Sequence, residues 1–169
     1  YNATIFFDGA GGSSSLVNRG IITASNNGVT IVDGTSNTLA NFGTIQGDVF
    51  AYYAFSGTAS DLIRNYGQIL GDISTGDGTD TFVSRGGTVE GDIHLGAGND
   101  RYVGTSGGVT GAVYGDAGAD TFFGNQNAAD VFVGGADVDT LDFRLGGQVT
   151  LALDLSFAQN GAALGDTYF

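Results

Sequence analysis

Short runs of alternating hydrophobic and polar residues follow one another along the whole chain, separated by glycine-rich bends. Such runs, bounded by turn residues, are typical of short β-strands. Their apolar positions recur at matching places in successive repeats: Ile45 and Val49, Ile69 and Ile73, Val89 and Ile93, Val109 and Val113, with Phe82, Tyr102 and Phe122 as a further set. The pattern predicts stacked coils in which equivalent residues form aliphatic and aromatic columns of one core.

A set of polar residues at equivalent places defines the period of the repeat. These key positions are Ser14, Asn37, Asp61, Asp80, Asp100, Asp120 and Asp139. The later members recur with a period of ~20 residues and the first ones with a slightly longer period, which is typical of a solenoid in which each repeat forms one coil. The sequence therefore predicts a single all-β domain over residues 1–169, a parallel β-helix or β-roll solenoid of about seven coils with ~20 residues per coil.

A second ladder of bends lies between the first ones, at NRG, NFG and NYG. Its asparagines, Asn18, Asn41 and Asn65, could form a polar binding face. They could also form an internal ladder in which side-chain amides hydrogen-bond along the rod. We expect the internal ladder, because a bend inside a coil needs partners for its main-chain groups.

Charge and composition narrow the classes of function. The chain has eighteen acidic residues and five arginines, and its net charge is -13. Such a chain repels phosphate backbones and anionic lipid, so nucleic acid and membranes are poor partners and cations are expected ones. No apolar run approaches the ~20 residues of a spanning helix. The lack of cysteine excludes a disulfide framework, and the start at Tyr1 leads us to interpret the chain as a processed piece.

The turns before the later strands, GDGTD, GAGND and DAGAD, combine glycines with an aspartate at a fixed distance. Glycine allows a turn to direct several carbonyl groups at one point, and Ca²⁺ takes 6 to 8 oxygen ligands from carbonyls and carboxylates. Stacked aspartates without a cation would repel one another by on the order of 3 kcal/mol per neighbouring pair. We therefore expect several calcium ions bound between coils.

The phrases TGDGTDTFV, LGAGNDRYV, GDAGADTFF and GGADVDTLD resemble the nonapeptide GGxGxDxUx of repeats-in-toxin (RTX) calcium-binding proteins. The interleaved NxGxIxGDI phrases are similar to the coils of autotransporters and adhesins. The resemblance implies calcium ligation by each motif aspartate and by carbonyls of its turn: Asp80 with Gly76, Asp77 and Gly78; Asp100 with Leu95, Gly96, Ala97 and Gly98; Asp120 with Gly115, Asp116, Ala117 and Gly118; Asp139 with Gly134, Gly135, Ala136 and Asp137.

Departures from the motif divide the domain into calcium-poor coils over 1–65, RTX-like calcium-binding coils over 66–143 and a C-terminal strand or edge segment over 144–169. Asp61 follows a turn poor in glycine, and Asn37 and Ser14 carry no charge at the key position. We expect the acidic half, 71–142, to order only with calcium. Asp130, between Asp120 and Asp139, predicts a shift there to a tighter roll.

The two ends of the chain lack the proline or lysine that guards an edge strand, at Thr4–Phe7 and at Val149–Phe157. We therefore expect a secreted bacterial structural protein, extracellular or at the cell surface, that stacks end to end into a fibre or surface layer. The alternatives are a segment of a larger RTX adhesin and a carbohydrate-binding accessory module that contacts a glycan or cell surface.

We expect no enzyme, because a polysaccharide lyase needs convergent basic and acidic groups. The chain has no lysine and one histidine, His94, which we interpret as an ordinary strand residue. Arg64, Arg85 and Arg101 are expected to pair with nearby aspartates.

Overall fold

The computed structural model describes residues 4–8, 11–55, 58–124, 130–142 and 167–168. The described chain is all-β and forms a parallel β-solenoid of about six turns with ~21 residues per turn. The fold class is confirmed, and the coil number differs slightly from the expected seven. The reason is geometric, because seven key positions between Ser14 and Asp139 enclose only six circuits. No described residues form a helix that could cross a bilayer.

The described residues form sixteen strands, and every pairing among them is parallel. They are β1 Ile5–Asp8, β2 Ser13–Asn18, β3 Ile21–Ala24, β4 Asn27–Val32, β5 Ser36–Asn41, β6 Thr44–Ala54, β7 Ser60–Asn65, β8 Gln68–Ser74, β9 Thr81–Glu90, β10 Ile93–His94, β11 Arg101–Val109, β12 Ala112–Ala117, β13 Thr121–Phe123, β14 Val131–Ala136, β15 Thr140–Asp142 and β16 Thr167–Tyr168. The strand expected at Thr4–Phe7 is thus present, shifted slightly toward the C-terminus.

Each coil contributes to three runs of stacked strands. The first run follows the key position and contains β2, β5, β7, β13, β15, β16 and the first parts of β9 and β11. The second contains β3 and parts of β6, β8, β9 and β11. The third contains β1, β4, β10, β12, β14 and the ends of β6 and β8. A bend joins the first run to the second, and a corner joins the second to the third.

The core lies inside the three runs and consists of the predicted columns. Phe82, Tyr102 and Phe122 are almost completely buried, and the rings of Phe82 and Tyr102 stack at 5.8 Å. One predicted member is wrong, because Val49 is 51% exposed. Strand β6 is longer between its two inward positions than its neighbours, so Tyr52 takes the place opposite Ile73.

The coil length stays nearly constant to the end of the described core. Strand β14 pairs with β12, with Val113 opposite Phe132, and β15 pairs with β13, with Thr121 opposite Thr140. The predicted shift to a tighter roll at Asp130 is therefore wrong. Asp130 instead accepts hydrogen bonds from the Val109 N–H at 3.0 Å and the Tyr102 hydroxyl at 3.3 Å. Asp130 therefore accepts hydrogen bonds from two residues of a neighbouring coil.

The asparagine ladder is internal, as expected. Asn41 is fully buried; its Nδ2 donates to Asn65 Oδ1 at 2.9 Å and to the Gln68 carbonyl at 3.0 Å. Its Oδ1 accepts from Asn18 Nδ2 at 2.8 Å and from the Gly43 N–H at 3.3 Å. One side chain thus satisfies a bend of its own coil and links three coils along the rod.

Replacement of Asn41 tests this ladder. Asn41→Ala removes four hydrogen bonds and leaves buried donors and acceptors without partners, so we expect a loss of about 3 kcal/mol in the free energy of unfolding. Urea unfolding followed by circular dichroism measures it. Asn26→Ala is the matched control, because Asn26 is exposed at a bend and should change stability by less than about 0.5 kcal/mol. Equal effects of the two substitutions would contradict the ladder.

Candidate cation site

The key aspartates form one buried column along the rod. Asp80, Asp100, Asp120 and Asp139 are between 0% and 5% exposed. In each case Oδ1 accepts the main-chain N–H of the key residue one coil earlier: Asp61 to Asp80 at 2.7 Å, Asp80 to Asp100 at 2.7 Å, Asp100 to Asp120 at 2.8 Å and Asp120 to Asp139 at 2.9 Å. The predicted column is therefore present, and each carboxylate ties its coil to the preceding one.

The second carboxylate oxygen of three column aspartates lies in a buried environment without a hydrogen-bond donor. Oδ2 of Asp80, of Asp100 and of Asp120 is buried and has no hydrogen-bond partner. A buried charged oxygen without a partner loses its hydration and gains nothing in exchange. These atoms therefore favour either a proton or a cation.

Asp61 meets the same burial in a different way. Its Oδ1 accepts from Asn37 Nδ2 at 2.7 Å, and its Oδ2 accepts from the Tyr52 hydroxyl at 2.7 Å. Both oxygens of this 2% exposed carboxylate are thus satisfied by neutral donors. Tyr52 was missed in the sequence, since only the three-dimensional register shows that the extended β6 carries its hydroxyl to the aspartate of the next coil.

Burial raises the pKa of each column carboxyl. The pKa of Asp80 rises to about 8, that of Asp120 to about 7 and that of Asp100 to about 6, and desolvation is the largest cause in all three. The main-chain N–H that each accepts opposes the rise in pKa, and neighbouring aspartates add to it. The Thr75 hydroxyl near Asp80 also lowers the pKa of Asp80, although this hydroxyl donates its hydrogen bond to the Leu95 carbonyl at 2.6 Å and leaves Asp80 Oδ2 without one. Burial also raises the pKa of Asp61, against the donors Asn37 and Tyr52.

Glycines bring the turns of neighbouring coils into close contact. Gly96 has φ +98° and lies against the Gly76 carbonyl, and Gly98 has φ +147° and lies against the Gly78 carbonyl. A methyl group at either position would overlap that oxygen. The carbonyls also bond along the rod, as the Ala97 N–H donates to Gly76 O at 3.1 Å. The turns of neighbouring coils are therefore in direct contact, with one lone pair of the Gly76 oxygen already used.

Two further glycines allow carboxylates to lie against the main chain. A methyl group at Gly115 would overlap Asp120 Oδ2, and one at Gly134 would overlap Asp139 Oδ2. Glycine at these places forms a cradle for the carboxylate, and any side chain there would displace it. In the two earlier coils the equivalent inward positions hold Thr75 and Leu95, both buried.

The side chains of several turn residues lie away from the column, although the carbonyls of these residues are the predicted ligands. The Leu95 side chain is part of the core, and its carbonyl accepts the Thr75 hydroxyl at 2.6 Å. Asp77, Asp116 and Asp137 have exposed side chains at the turns. Asp116 Oδ2 lies 3.1 Å from His94 Nδ1, whose ring stacks on Tyr114 at 4.5 Å.

Any cation held in the column would need ligands of two kinds, carboxylates and main-chain carbonyls. Among the described residues no three His, Cys, Asp or Glu side chains come together as a metal site. A cation in the column would take one carboxylate from each coil and its remaining ligands from main-chain carbonyls. The orphaned buried oxygens of Asp80, Asp100 and Asp120 fit calcium, which accepts such oxygen ligands with flexible geometry.

The C-terminal segment, interpreted from the sequence as a strand or edge segment, contains one further copy of the repeat. Strand β16 pairs with β15 in the register Thr140 opposite Thr167 and Leu141 opposite Tyr168. In sequence, Asp166 precedes Thr167 as Asp139 precedes Thr140. The phrase GDTYF thus repeats the motif after a longer interval than the earlier coils have. The strand predicted at Val149–Phe157 lies outside the described residues.

The raised pKa values predict an unusual pH dependence in the absence of calcium. The folded chain holds protons on Asp80, Asp100 and Asp120 that the unfolded chain releases above pH ~4. Stability without calcium should therefore rise as the pH falls from about 8 to 5. Thermal melting in chelator, followed by circular dichroism, measures it. The triple Asp→Asn variant should lose most of this dependence and His94→Gln should keep it; a wild-type chain more stable at pH 8 would contradict the burial.

No protein-family model matches the chain, and no curated protein or solved structure shows significant similarity to it. The resemblance to RTX repeats therefore rests on the repeated motif. A parallel β-solenoid of about six turns is compatible with a β-roll repeat protein.

Proposed function

We propose that this chain is a secreted structural protein whose calcium-stabilised coils stack end to end into an extracellular fibre or surface layer. The observation that carries the calcium part is the column of buried carboxylates whose second oxygens lack partners at Asp80, Asp100 and Asp120. The part that concerns assembly rests on strand edges at the two ends of the solenoid that have no partner among the described strands.

Calcium would be held by the motif aspartates Asp80, Asp100, Asp120 and Asp139 together with carbonyls of the glycine-rich turns. When bound it would supply positive charge to buried carboxylate oxygens that have no hydrogen-bond partner. Protons can replace it only near or below the raised pKa values, so at neutral pH the carboxylates that ionise need the cation. Binding energy then becomes folding energy, and the calcium concentration outside cells suits sites of modest affinity.

The first coils need no cation. Asp61 receives Tyr52 and Asn37, while Asn37 and Ser14 bring no charge to their own coils. The gradient along the rod therefore runs from coils that fold alone to coils that depend on calcium.

The end coils offer edges for assembly. In the first coil β2 pairs only with β5, and β3 pairs only with β6. At the other end of the described core β14 pairs only with β12. Unpaired parallel edges are templates for further pairing. A second copy continuing the same coil would satisfy both edges, and a head-to-tail contact of this kind does not close on itself.

Calcium should order the later coils. Titration of the chelated chain at pH ~7.5 should increase the β-sheet signal in circular dichroism, and calorimetry should detect several sites. Gly115→Ala fills the cradle beside Asp120 and should weaken one site; Gly20→Ala is the matched control, because its methyl group would meet open space. An identical spectrum in chelator and in millimolar calcium would contradict the proposal.

Electron microscopy tests the assembly. The calcium-loaded chain should form filaments about as wide as one coil, and these should shorten in the variant Val17→Lys/Ile21→Lys. Both side chains are exposed on the first edge strands, at 49% and 78%, so lysines there guard the edge without disturbing the core. Calcium-ordered monomers without filaments would favour a segment of a larger adhesin and overturn the fibre.

A further inference from the structure

The arginines of this acidic chain lie apart from its acids. Within the described ranges the side chains of Arg64 and Arg85 form no ion pair or hydrogen bond, and those of Arg19 and Arg101 lie over aromatic rings. Arg19 lies 5.3 Å from the centroid of Phe42, and Arg101 lies 4.5 Å from that of Phe123. The expected pairing of arginines with nearby aspartates is therefore wrong.

All four described arginines lie on the outer side of the first run of strands or on the bend that follows it. We call this surface, from β2 to β13, the arginine face. It is free of Asp and Glu at its outward positions, which alternate with the inward core residues. Val83 and Val103 are outward yet only 8% exposed, in the same column as Arg64 and Phe123.

The bend adds aromatic surface to the arginine face. Phe42 is 48% exposed and stacks on Tyr66 at 4.6 Å, with Arg19 over its other side. Arginine and aromatic residues are enriched in protein interfaces, and acidic residues and lysine are depleted there. The face therefore has the composition of a protein contact, and its charge selects an acidic partner.

The chain itself carries such an acidic surface. The corner between the second and third runs bears Asp48, Asp72, Glu90 and Asp92, of which Asp48 and Glu90 are exposed. In a coil with three runs, this acidic corner lies across from the first run. Asp72 and Asp92 stand on adjacent coils, joined by the bond from the Asp92 N–H to Asp72 Oδ1 at 2.9 Å.

The two surfaces lie on different sides of the rod. Arg64 and Arg85 stand on adjacent coils but in different columns, since Arg64 lies opposite Val83 and Arg85 lies opposite Ser106. Two rods lying side by side in the same direction would thus bring the arginine face of one rod against the acidic corner of the next.

We propose that the arginine face binds the acidic corner of a second copy of this chain, side by side. The contact uses different surfaces on the two copies, so it repeats from rod to rod and produces a flat array. It needs neither end of the solenoid, and it is therefore independent of the end-to-end stacking proposed above.

Two variants with opposite changes in net charge test the contact. Arg64→Gln/Arg85→Gln/Arg101→Gln takes the net charge from -13 to -16, and Asp48→Asn/Glu90→Gln takes it from -13 to -11. If the arginine face binds the acidic corner, both variants should weaken lateral association by on the order of 10-fold. Sedimentation velocity in millimolar calcium and low salt measures this association. Simple charge repulsion predicts that the second variant associates more, and that result would overturn the proposal.

Charge reversal makes the test specific. Arg64→Glu/Arg85→Glu and Asp48→Arg/Glu90→Arg should each fail to associate alone, and their mixture should recover the association. Circular dichroism in calcium verifies that each variant is folded. Single filaments without bundles from the arginine variants would support the lateral contact, and bundles of wild-type density would contradict it. A wild-type chain that stays unbundled but binds polygalacturonate through these arginines would assign the face to an acidic glycan instead.

Discussion

The structure depends on burying one carboxylate per coil in register along the rod. Each column aspartate accepts the main-chain N–H of the key residue one coil earlier, which fixes the register of the turns. The same burial raises the pKa of these carboxyls and leaves the second oxygen of Asp80, Asp100 and Asp120 without a partner. The carboxylates of the column therefore both link the coils and destabilise them. A ligand that supplies positive charge to the column would stabilise the whole stack of coils.

Much of this could be predicted from the sequence because a solenoid converts period into position. Once the period of the repeat is known, Phe82 and Tyr102 must stack, and Asn41 must meet Asn18 and Asn65. The prediction failed where the period changes. The extra residues of β6 move Val49 to the surface and bring in Tyr52, and counting residues between motifs cannot tell where such an insertion bulges.

Side-chain partners across the surface were less predictable than columns. Proximity in sequence suggested that the arginines pair with aspartates, but alternation places Arg64 and Arg101 on one side of a strand and the column aspartates on the other. The acidic residues of the turns and corners likewise lie outside the first run of strands, which carries the arginine face. The result is a rod whose charge is divided by face, although its net charge of -13 conceals this. Because the two signs of charge lie on different faces, a neighbouring rod can be attracted in one orientation even though the net charges of the two rods repel.

The Tyr52 hydroxyl gives the rod a direction. It completes Asp61 without an ion, so the coils up to this point form a finished surface on which the next coil, with Asp80, can be laid. From there each added coil exposes one more main-chain N–H for the following carboxylate. Folding can therefore proceed coil by coil from a preformed template. The free-energy cost of nucleation then arises once, in the N-terminal coils that include Tyr52.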